Sequence, residues 1–212
     1  MKKPVLLDLF ACSGIGGDGY KSAGFDIISV DIEDQPNNPH NFNRMDWLEG
    51  LKKFADIADV IHASPPCQGY SRTKSLHSIK YETLVDVVRA ELQRIGKPYV
   101  MENVQGAPLM NAIWLDGIMF GLKVVRKRLF ESNVLLFMPG KGHKKGSVGA
   151  KNCTRKDFNG YYIVGGHQMG TLEEWKMAMG VLPGRNVTRE ELAESIPPAY
   201  TEYIGRQLMN FI

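Results

Sequence analysis

Short apolar runs separated by polar turns recur along the first half of the chain. Residues 5–10, 26–31, 59–63 and 99–104 are each five or six residues long and rich in Val, Ile and Leu. Runs of this kind are typical of parallel strands that are buried on both faces. A glycine-rich turn and a helix to about residue 24 follow the first run. A second helix is predicted over 81–95, where apolar residues recur every three or four positions.

The second half of the chain has a weaker pattern. Residues 109–119 are predicted to be helical, residues 123–132 resemble a strand with basic positions, and a helix over 199–211 follows two prolines. The alternation of strands and helices predicts an α/β fold with a doubly wound, mostly parallel sheet. Residues 139–156 differ from the rest, because glycine and lysine dominate there and no acidic residue occurs.

Composition excludes several classes of protein. With 212 residues, 43% hydrophobic and 23% charged, the chain suits one domain with a small appendage, and its net charge of +3 selects no partner. The three cysteines are widely spaced, which disfavours a disulfide framework and a zinc site, so we expect no metal and a reducing, cytoplasmic setting. Asp8 interrupts the first apolar run, and no run is long enough to span a membrane.

The glycine-rich turn after the first strand is a candidate cofactor site. Residues 14–19 fit G-x-G-x-x-G between a strand and a helix, and Asp31 ends the second strand, where an acid can bind ribose hydroxyls. A nicotinamide cofactor and S-adenosylmethionine both contain adenosine, so these residues do not distinguish them. A tight turn without a cofactor is the third interpretation.

Three further motifs lie where chemistry is expected. Cys67 follows Pro65-Pro66 at a strand end, and is either a nucleophile or a small buried side chain. Glu102 lies at the carboxyl end of a strand, facing either the ligand crevice of such a sheet or solvent. Arg126 and Arg128 form a basic pair on a strand, which in isolation is usually solvated.

Taken together, these motifs resemble the cytosine-C5 methyltransferase family. The resemblance covers residues 4–132 and 193–212, and it is strongest for short phage-encoded members of the family. It is carried by five segments in order: Asp8-Leu9-Phe10-Ala11, Pro65-Pro66-Cys67-Gln68, Glu102-Asn103-Val104, Arg126 with Arg128, and Ser195-Ile196-Pro197-Pro198-Ala199. The sequence departs from the family pattern at Cys12, Ile15, Val124 and Glu194.

The resemblance implies a Rossmann-like class I methyltransferase fold that binds S-adenosylmethionine. Cys67 would add to C6 of a cytosine swung out of the helix, Glu102 would contact its N3 side, and Arg126 and Arg128 would orient the base and hold the catalytic loop. Phe10 would lie near the adenine, Asp31 would bind ribose, Ile32 would pack on the base and Asp46 would read its amino group. The cofactor residues implied are Asp8, Phe10, Gly14, Gly16, Asp31, Ile32, Asp46, Pro66 and Ser195.

Nucleic acid is the expected partner, with double-stranded DNA as first choice and RNA as the alternative. The residues expected to touch it are Gln68, Ser71, Arg72, Lys74, Lys144 and Lys145. We predict a core over 1–132, a small basic target-recognition-like region over 133–192, and a segment over 193–212 that returns to the core. Because that middle region is small, we expect short or loose specificity, or specificity supplied by a partner protein. We also expect a monomer.

Two rival hypotheses follow from the same residues. A nicotinamide-dependent oxidoreductase would use the glycine turn but leaves the cysteine, glutamate and arginine motifs unexplained. A catalytically lapsed module that binds nucleic acid or cofactor would explain the departures from the family pattern. The presence of Cys67 and Glu102 argues against the lapsed module.

Overall fold

One mixed β-sheet organises the part of the chain that the computed structural model describes, residues 2–66, 84–140, 160–165 and 170–212. Its strands lie in the order β3-β2-β1-β4-β5-β7-β6. β1 to β5 run parallel, whereas β7 is antiparallel to both of its neighbours. The strands are β1 (Val5–Leu9), β2 (Asp26–Asp31), β3 (Asn41–Arg44), β4 (Val60–Ala63), β5 (Tyr99–Val104), β6 (Ile113–Leu115) and β7 (Arg128–Ser132).

Helices cover both faces of this sheet. They are α1 (Ile15–Ala23), α2 (Trp47–Phe54), α3 (Val85–Ile95), α4 (Leu172–Met179), α5 (Arg189–Glu194) and α6 (Pro198–Leu208), with one 3₁₀ turn at Gly117–Phe120. In β1, Leu7 and Leu9 pack with α2 and α3, while Leu6 packs with α1 and α6. Among the described segments, none of the helices is long and apolar enough to cross a membrane.

The predicted doubly wound α/β fold is confirmed, and β1, β2, β4 and β5 lie within a residue or two of their predicted bounds. The strand order reverses between β1 and β4, because the chain moves outward from β1 to β3 and then returns to the other side of β1. In open parallel sheets, ligands bind beyond the carboxyl ends of the strands at such a switch point. A ligand crevice is therefore expected beside the turns that follow β1 and β4.

The helix predicted over residues 109–119 was wrong. The structure has the edge strand β6 and the 3₁₀ turn there instead. Ile113 and Trp114 pair with β7, and the Lys127 ammonium lies 4.2 Å from the centre of the Trp114 ring. β-Branched and aromatic residues favour such pairing, which overrides a weak helical pattern. The strand predicted from residue 123 begins only at Arg128, since Val124 bridges to Tyr162 instead.

Candidate active site

The turn between β1 and α1 adopts an unusual backbone conformation. Phe10 and Cys12 have φ angles of 61° and 45°, and Gly14 follows with 75°. A left-handed conformation at a non-glycine residue costs on the order of 1–3 kcal/mol and persists only where the surroundings hold it. Such residues are enriched at ligand sites, which makes this turn the first candidate element of a functional site.

Side chains from distant segments hold three consecutive carbonyl groups of this turn. Asn38 donates to the Cys12 carbonyl at 2.9 Å, Arg185 donates to the Ser13 carbonyl at 2.6 Å, and His40 Nε2 donates to the Gly14 carbonyl at 3.0 Å. These contacts satisfy polar groups that the irregular backbone would otherwise leave without partners. The protein's own side chains therefore hold the turn in this conformation.

Asp31 at the end of β2 joins the same turn. One carboxylate oxygen accepts from the Cys12 amide at 2.9 Å, and the other accepts from the Glu33 amide at 3.0 Å. Each oxygen can accept a second hydrogen bond, so the group can still bind a ribose hydroxyl. The next side chain, Ile32, is apolar and 63% exposed, as expected of a surface that an adenine could cover.

Phe10 and Asp46 meet at the start of α2. The Phe10 ring stacks on Trp47 with 5.9 Å between ring centres, and Asp46 caps the helix by accepting from the Leu48 amide at 2.8 Å. Both residues lie near the carboxyl ends of β1 and β2, where the family resemblance implies that an adenine would bind. Their roles toward a cofactor stay predictions.

Glycine occurs at the positions of the predicted G-x-G-x-x-G pattern for different structural reasons. Gly14 is left-handed and precedes α1, whereas Gly16 and Gly19 lie within that helix. A Cβ at Gly19 would lie 2.0 Å from the Pro198 carbonyl oxygen, so this glycine permits close packing of α1 on α6. That packing accounts for the last glycine of the pattern without a dinucleotide.

Carboxylates surround the turn. Burial raises the pKa of the Cys12 thiol well above its usual range, and the charges of Asp31, Glu194, Asp8 and Glu102 raise it further. Cys12 therefore stays a neutral thiol and is a poor nucleophile. Burial also raises the pKa of Asp8 to about 7, with His40 lowering it and Asp31 raising it.

Glu102 on β5 is buried beside two cationic side chains. Its Oε1 lies 3.1 Å from Arg128 Nε. Burial raises the pKa of Glu102, while Arg128, a hydrogen bond from Ser64 and the charge of Arg126 lower it. The carboxyl consequently holds a proton more readily than an exposed glutamate, yet it remains paired.

Asn103 connects two of the sequence motifs. Its side-chain amide is buried and donates to the Pro65 carbonyl at 2.9 Å. The Glu-Asn-Val segment of β5 is thus tied to the Pro-Pro segment that follows β4. Pro66 is exposed at the mouth of the crevice, and the next residue in the sequence is Cys67.

Arg126 braces the fold through three backbone carbonyl groups. Its guanidinium donates to the Ser195 and Val164 carbonyls at 2.7 Å each, and also to the Ala193 carbonyl. Ser195 in turn lies 3.2 Å from Ser13, measured between the hydroxyl oxygens. Arg126 and Ser195 therefore join the end of the chain to the turn after β1.

Several predicted site residues lie outside the described residues, namely Cys67, Gln68, Ser71, Arg72, Lys74, Lys144 and Lys145. Their roles stay predictions. Within the described ranges, no cluster of three or more His, Cys, Asp or Glu side chains could hold a metal ion.

Comparison with known proteins places this geometry in context. No protein-family model matches the chain. A type II methyltransferase of Xanthomonas oryzae is 28% identical over 124 residues, which is 50% of this chain and 29% of that protein. The chain thus spans less than a third of the length of this curated relative.

Several solved structures similar to this one are methyltransferases. They include Dnmt2 of Spodoptera frugiperda, with a TM-score of 0.66, 14% identity and coverage of 97% of this chain and 99% of that one. Entamoeba histolytica EhMeth has a TM-score of 0.65 and 12% identity, and the match covers 100% of this chain and 99% of that one. S. pombe Dnmt2 has a TM-score of 0.61 and 14% identity, with coverage of 99% of both chains. The fold is that of the class I methyltransferases. Together with the curated relative, these likenesses are consistent with the cytosine-C5 methyltransferase family.

Sequence reasoning missed several residues that build the crevice of this methyltransferase fold. Arg185 donates to Asp18, Asn37 and Ser13, and so joins the segment before α5 to the turn after β1. Nothing in its local sequence, Gly-Arg-Asn, distinguishes it from a surface arginine. His62 could have been found, because it interrupts an apolar strand in the sequence, and a buried polar side chain requires a hydrogen-bond partner nearby.

Proposed function

We propose that this protein transfers a methyl group from S-adenosylmethionine to C5 of cytosine in nucleic acid. Cys67 is the proposed nucleophile, and duplex DNA is the proposed substrate. The observation that carries the proposal is the hydrogen bond from Asn103 to the Pro65 carbonyl. It ties the segment bearing Glu102 to the segment that leads into Cys67, which is the juxtaposition this chemistry needs.

Cytosine C5 is a weak nucleophile, and the roles of the side chains follow from that property. Addition of the Cys67 thiolate to C6 would make C5 electron-rich enough to take the methyl group from the cofactor's sulfonium. Loss of the C5 proton to a base would then break the bond between C6 and sulfur. Glu102 would meet N3 of the ring, where a raised carboxyl pKa favours a shared or donated proton. Arg128 would hold that carboxyl from the other side.

The crevice fits a positively charged cofactor. When bound, S-adenosylmethionine would supply the methyl group on a cationic sulfur. The charges of Asp31, Glu194, Asp8 and Glu102 all act on the turn at Cys12. Such a mouth favours a sulfonium and an ammonium group and disfavours the pyrophosphate of a nicotinamide dinucleotide. Asp31 and Ile32 would hold the adenosine portion.

Contact with nucleic acid is proposed from the sequence. Lys144 and Lys145 lie in the basic stretch 139–156, and Arg72 and Lys74 follow Cys67. Lysine and arginine bind phosphates and release condensed counterions, so binding should weaken as salt rises. Duplex DNA is the first substrate to test, and transfer RNA is the alternative.

The test is transfer of radiolabelled methyl from S-adenosylmethionine to duplex DNA, to poly(dI-dC) and to transfer RNA in parallel. Cys67→Ala should abolish transfer and leave cofactor binding, measured by calorimetry, unchanged. Cys153→Ala is the matched control and should retain transfer. Label on transfer RNA alone would replace DNA by RNA as substrate.

Three results would contradict the proposal. Transfer retained by Cys67→Ala would remove the nucleophile. Tight binding of a nicotinamide dinucleotide without binding of S-adenosylmethionine would instead favour the oxidoreductase. Cofactor binding without transfer to any nucleic acid would favour a lapsed binding module.

A further inference from the structure

A line of buried polar side chains runs from the core to Glu102. The Tyr20 hydroxyl lies 2.9 Å from His62 Nδ1, and His62 Nε2 lies 2.9 Å from the Ser64 hydroxyl. Ser64 lies beside Glu102 in the register of the two strands, and its hydroxyl lowers the Glu102 pKa. We refer to Tyr20, His62, Ser64 and Glu102 as the Glu102 network. None of the sequence motifs described above contains Tyr20, His62 or Ser64.

Strand register brings the Glu102 network together. Side chains two residues apart on a strand share a face, so His62 and Ser64 point the same way. Ala63 pairs with Met101 in the parallel register of β4 and β5, which places Ser64 beside Glu102 at the next position. Tyr20 reaches this face from α1, which packs on it.

The hydrogen-bond directions follow from the chemistry of the two ends. An ionised carboxylate only accepts, so Ser64 donates to Glu102, in keeping with its lowering of the Glu102 pKa. The Ser64 oxygen then accepts from His62 Nε2–H, and His62 Nδ1 accepts from the Tyr20 hydroxyl. Each member has a partner, as a buried polar network requires.

We propose that His62 is a positioning residue that acts on Glu102 through Ser64. The network aims the Glu102 carboxyl into the crevice and favours its ionised form, and Tyr20 anchors its buried end. The consequence for methyl transfer rests on the proposed function, since it requires Glu102 to meet the base. The effect of His62 and Ser64 on the Glu102 carboxyl does not depend on the proposed function.

Other charged groups also face these residues. Arg128 on β7 pairs with Glu102, and Arg126 just before that strand acts on it at longer range. Asp8 on β1 is the register partner of His62. The charges of both arginines and of Glu102 also act on the pKa of Tyr200, which lies on α6. Burial lowers the pKa of His62 to about 3, so His62 is neutral in the range where Glu102 titrates.

The first experiment is nuclear magnetic resonance on the labelled full-length protein. Ring ¹⁵N spectra should show His62 neutral, with the proton on Nε2, from pH 5 to 8. Carboxyl ¹³C titration should show that Ser64→Ala raises the Glu102 pKa by about one unit, because a hydrogen bond to a charged group is lost. Ser29→Ala is the matched control, since the buried Ser29 hydroxyl has no partner among the described residues.

An unchanged Glu102 pKa in Ser64→Ala, or a proton on His62 Nδ1, would overturn the proposal. Neither measurement depends on methyl transfer, so failure of the proposed function is distinguished from failure of this inference.

Kinetics then test the consequence for catalysis. The limb of the transfer pH profile that Glu102 controls should move to higher pH in Ser64→Ala, and should not move in Ser29→Ala. His62→Leu should lower kcat about tenfold at unchanged cofactor KM, whereas His62→Gln, which keeps an N–H donor near Nε2, should restore most of the loss. Equal rates for these two His62 variants would contradict a positioning role.

Discussion

Buried charged side chains at single positions are expected to control the stability of this protein and its dependence on pH. Asp8 and Glu102 lie on the sheet face covered by α1 and α6, each less than a tenth exposed. Burial penalises their ionised forms, and nearby cations offset the penalty to different extents. At Glu102 the partners Arg128 and Ser64 hold the group in a defined geometry, whereas Asp8 should respond to pH near neutrality.

Asp8 should make the protein less stable as the pH rises from 4 to 7. Its pKa is about 7 in the folded protein, against an ordinary value of 3.8 for the unfolded chain, so in this window the folded state binds the proton that the unfolded state has lost. The group stabilises below its unfolded pKa, and that contribution, on the order of 4 kcal/mol, is lost by pH 7.

Urea unfolding of wild type and Asp8→Asn at several pH values tests this expectation. The free energy of unfolding of wild type relative to the variant should fall across the window. Parallel curves for the two proteins would show that Asp8 has an ordinary pKa.

Arg126 should be among the most sensitive single positions for stability. Its guanidinium serves the carbonyls of Ser195, Val164 and Ala193. Arg126→Lys keeps the charge but not the planar set of donors, so buried carbonyls lose partners at a cost of roughly 2–4 kcal/mol. Arg94→Lys, at an exposed ion pair with Glu91, should change the free energy of unfolding by less than about 0.5 kcal/mol. Equal midpoints of urea unfolding for the two variants would refute the bracing role.

Between elements, the closest helix contact is that of α1 with α6. Gly19 allows it, because a Cβ there would lie 2.0 Å from the Pro198 carbonyl and 2.1 Å from Thr201 Oγ1. Thr201 itself donates to the Gly16 carbonyl at 2.6 Å. Helix α6 is thus packed closely along α1, which follows the turn after β1.

Gly19→Ala should therefore destabilise the protein by roughly 1–3 kcal/mol. The sign is opposite to the gain of about 1 kcal/mol that alanine usually brings to a helix interior. Gly16→Ala is the control on the same helix, where the nearest atom, from Ile196, lies at an ordinary 3.4 Å. Thermal unfolding of both variants distinguishes the sites, and a stabilised Gly19→Ala would mean that the helices lie further apart.

At the scale of the whole molecule, the end of the chain closes over its beginning. Arg185 reaches back to Asp18, Asn37 and Ser13, and Arg126 holds Ala193 and Ser195 beside the same turn. Residues far apart in the chain thereby build one rigid crevice. Its geometry should be disturbed when the closing contacts are removed, even where no proposed cofactor residue is changed.

Arg185→Gln should weaken binding of S-adenosylmethionine about tenfold, because the turn after β1 loses its carbonyl and carboxylate contacts. Arg206→Gln serves as the control, since Arg206 is exposed and pairs only with Glu202 on α6 among the described residues. Calorimetric titration of the cofactor into both variants gives the comparison. Equal affinities would mean that the turn holds its shape without Arg185.

Sequence by itself determined the parallel core of the fold. β1, β2, β4 and β5 were predictable because strands buried on both faces need continuous apolar runs, and because glycine and proline mark their ends. The same reasoning located Asp31 and Glu102 at strand ends, where side chains reach the crevice. The same reasoning did not predict β3, because its Asn-Phe-Asn-Arg sequence is polar and lies at the sheet edge. It also failed for β6, where pairing with β7 overrides the helical pattern of the sequence.

Only the tertiary structure decided which polar residues work together. His62, Ser64 and Glu102 are adjacent because β4 and β5 pair in one register, and Arg185 meets Ser13 because the chain closes on itself. Local sequence records the burial pattern of a residue's own strand or helix. It does not record the register between strands or the return of a distant segment, since both depend on packing the whole chain at once.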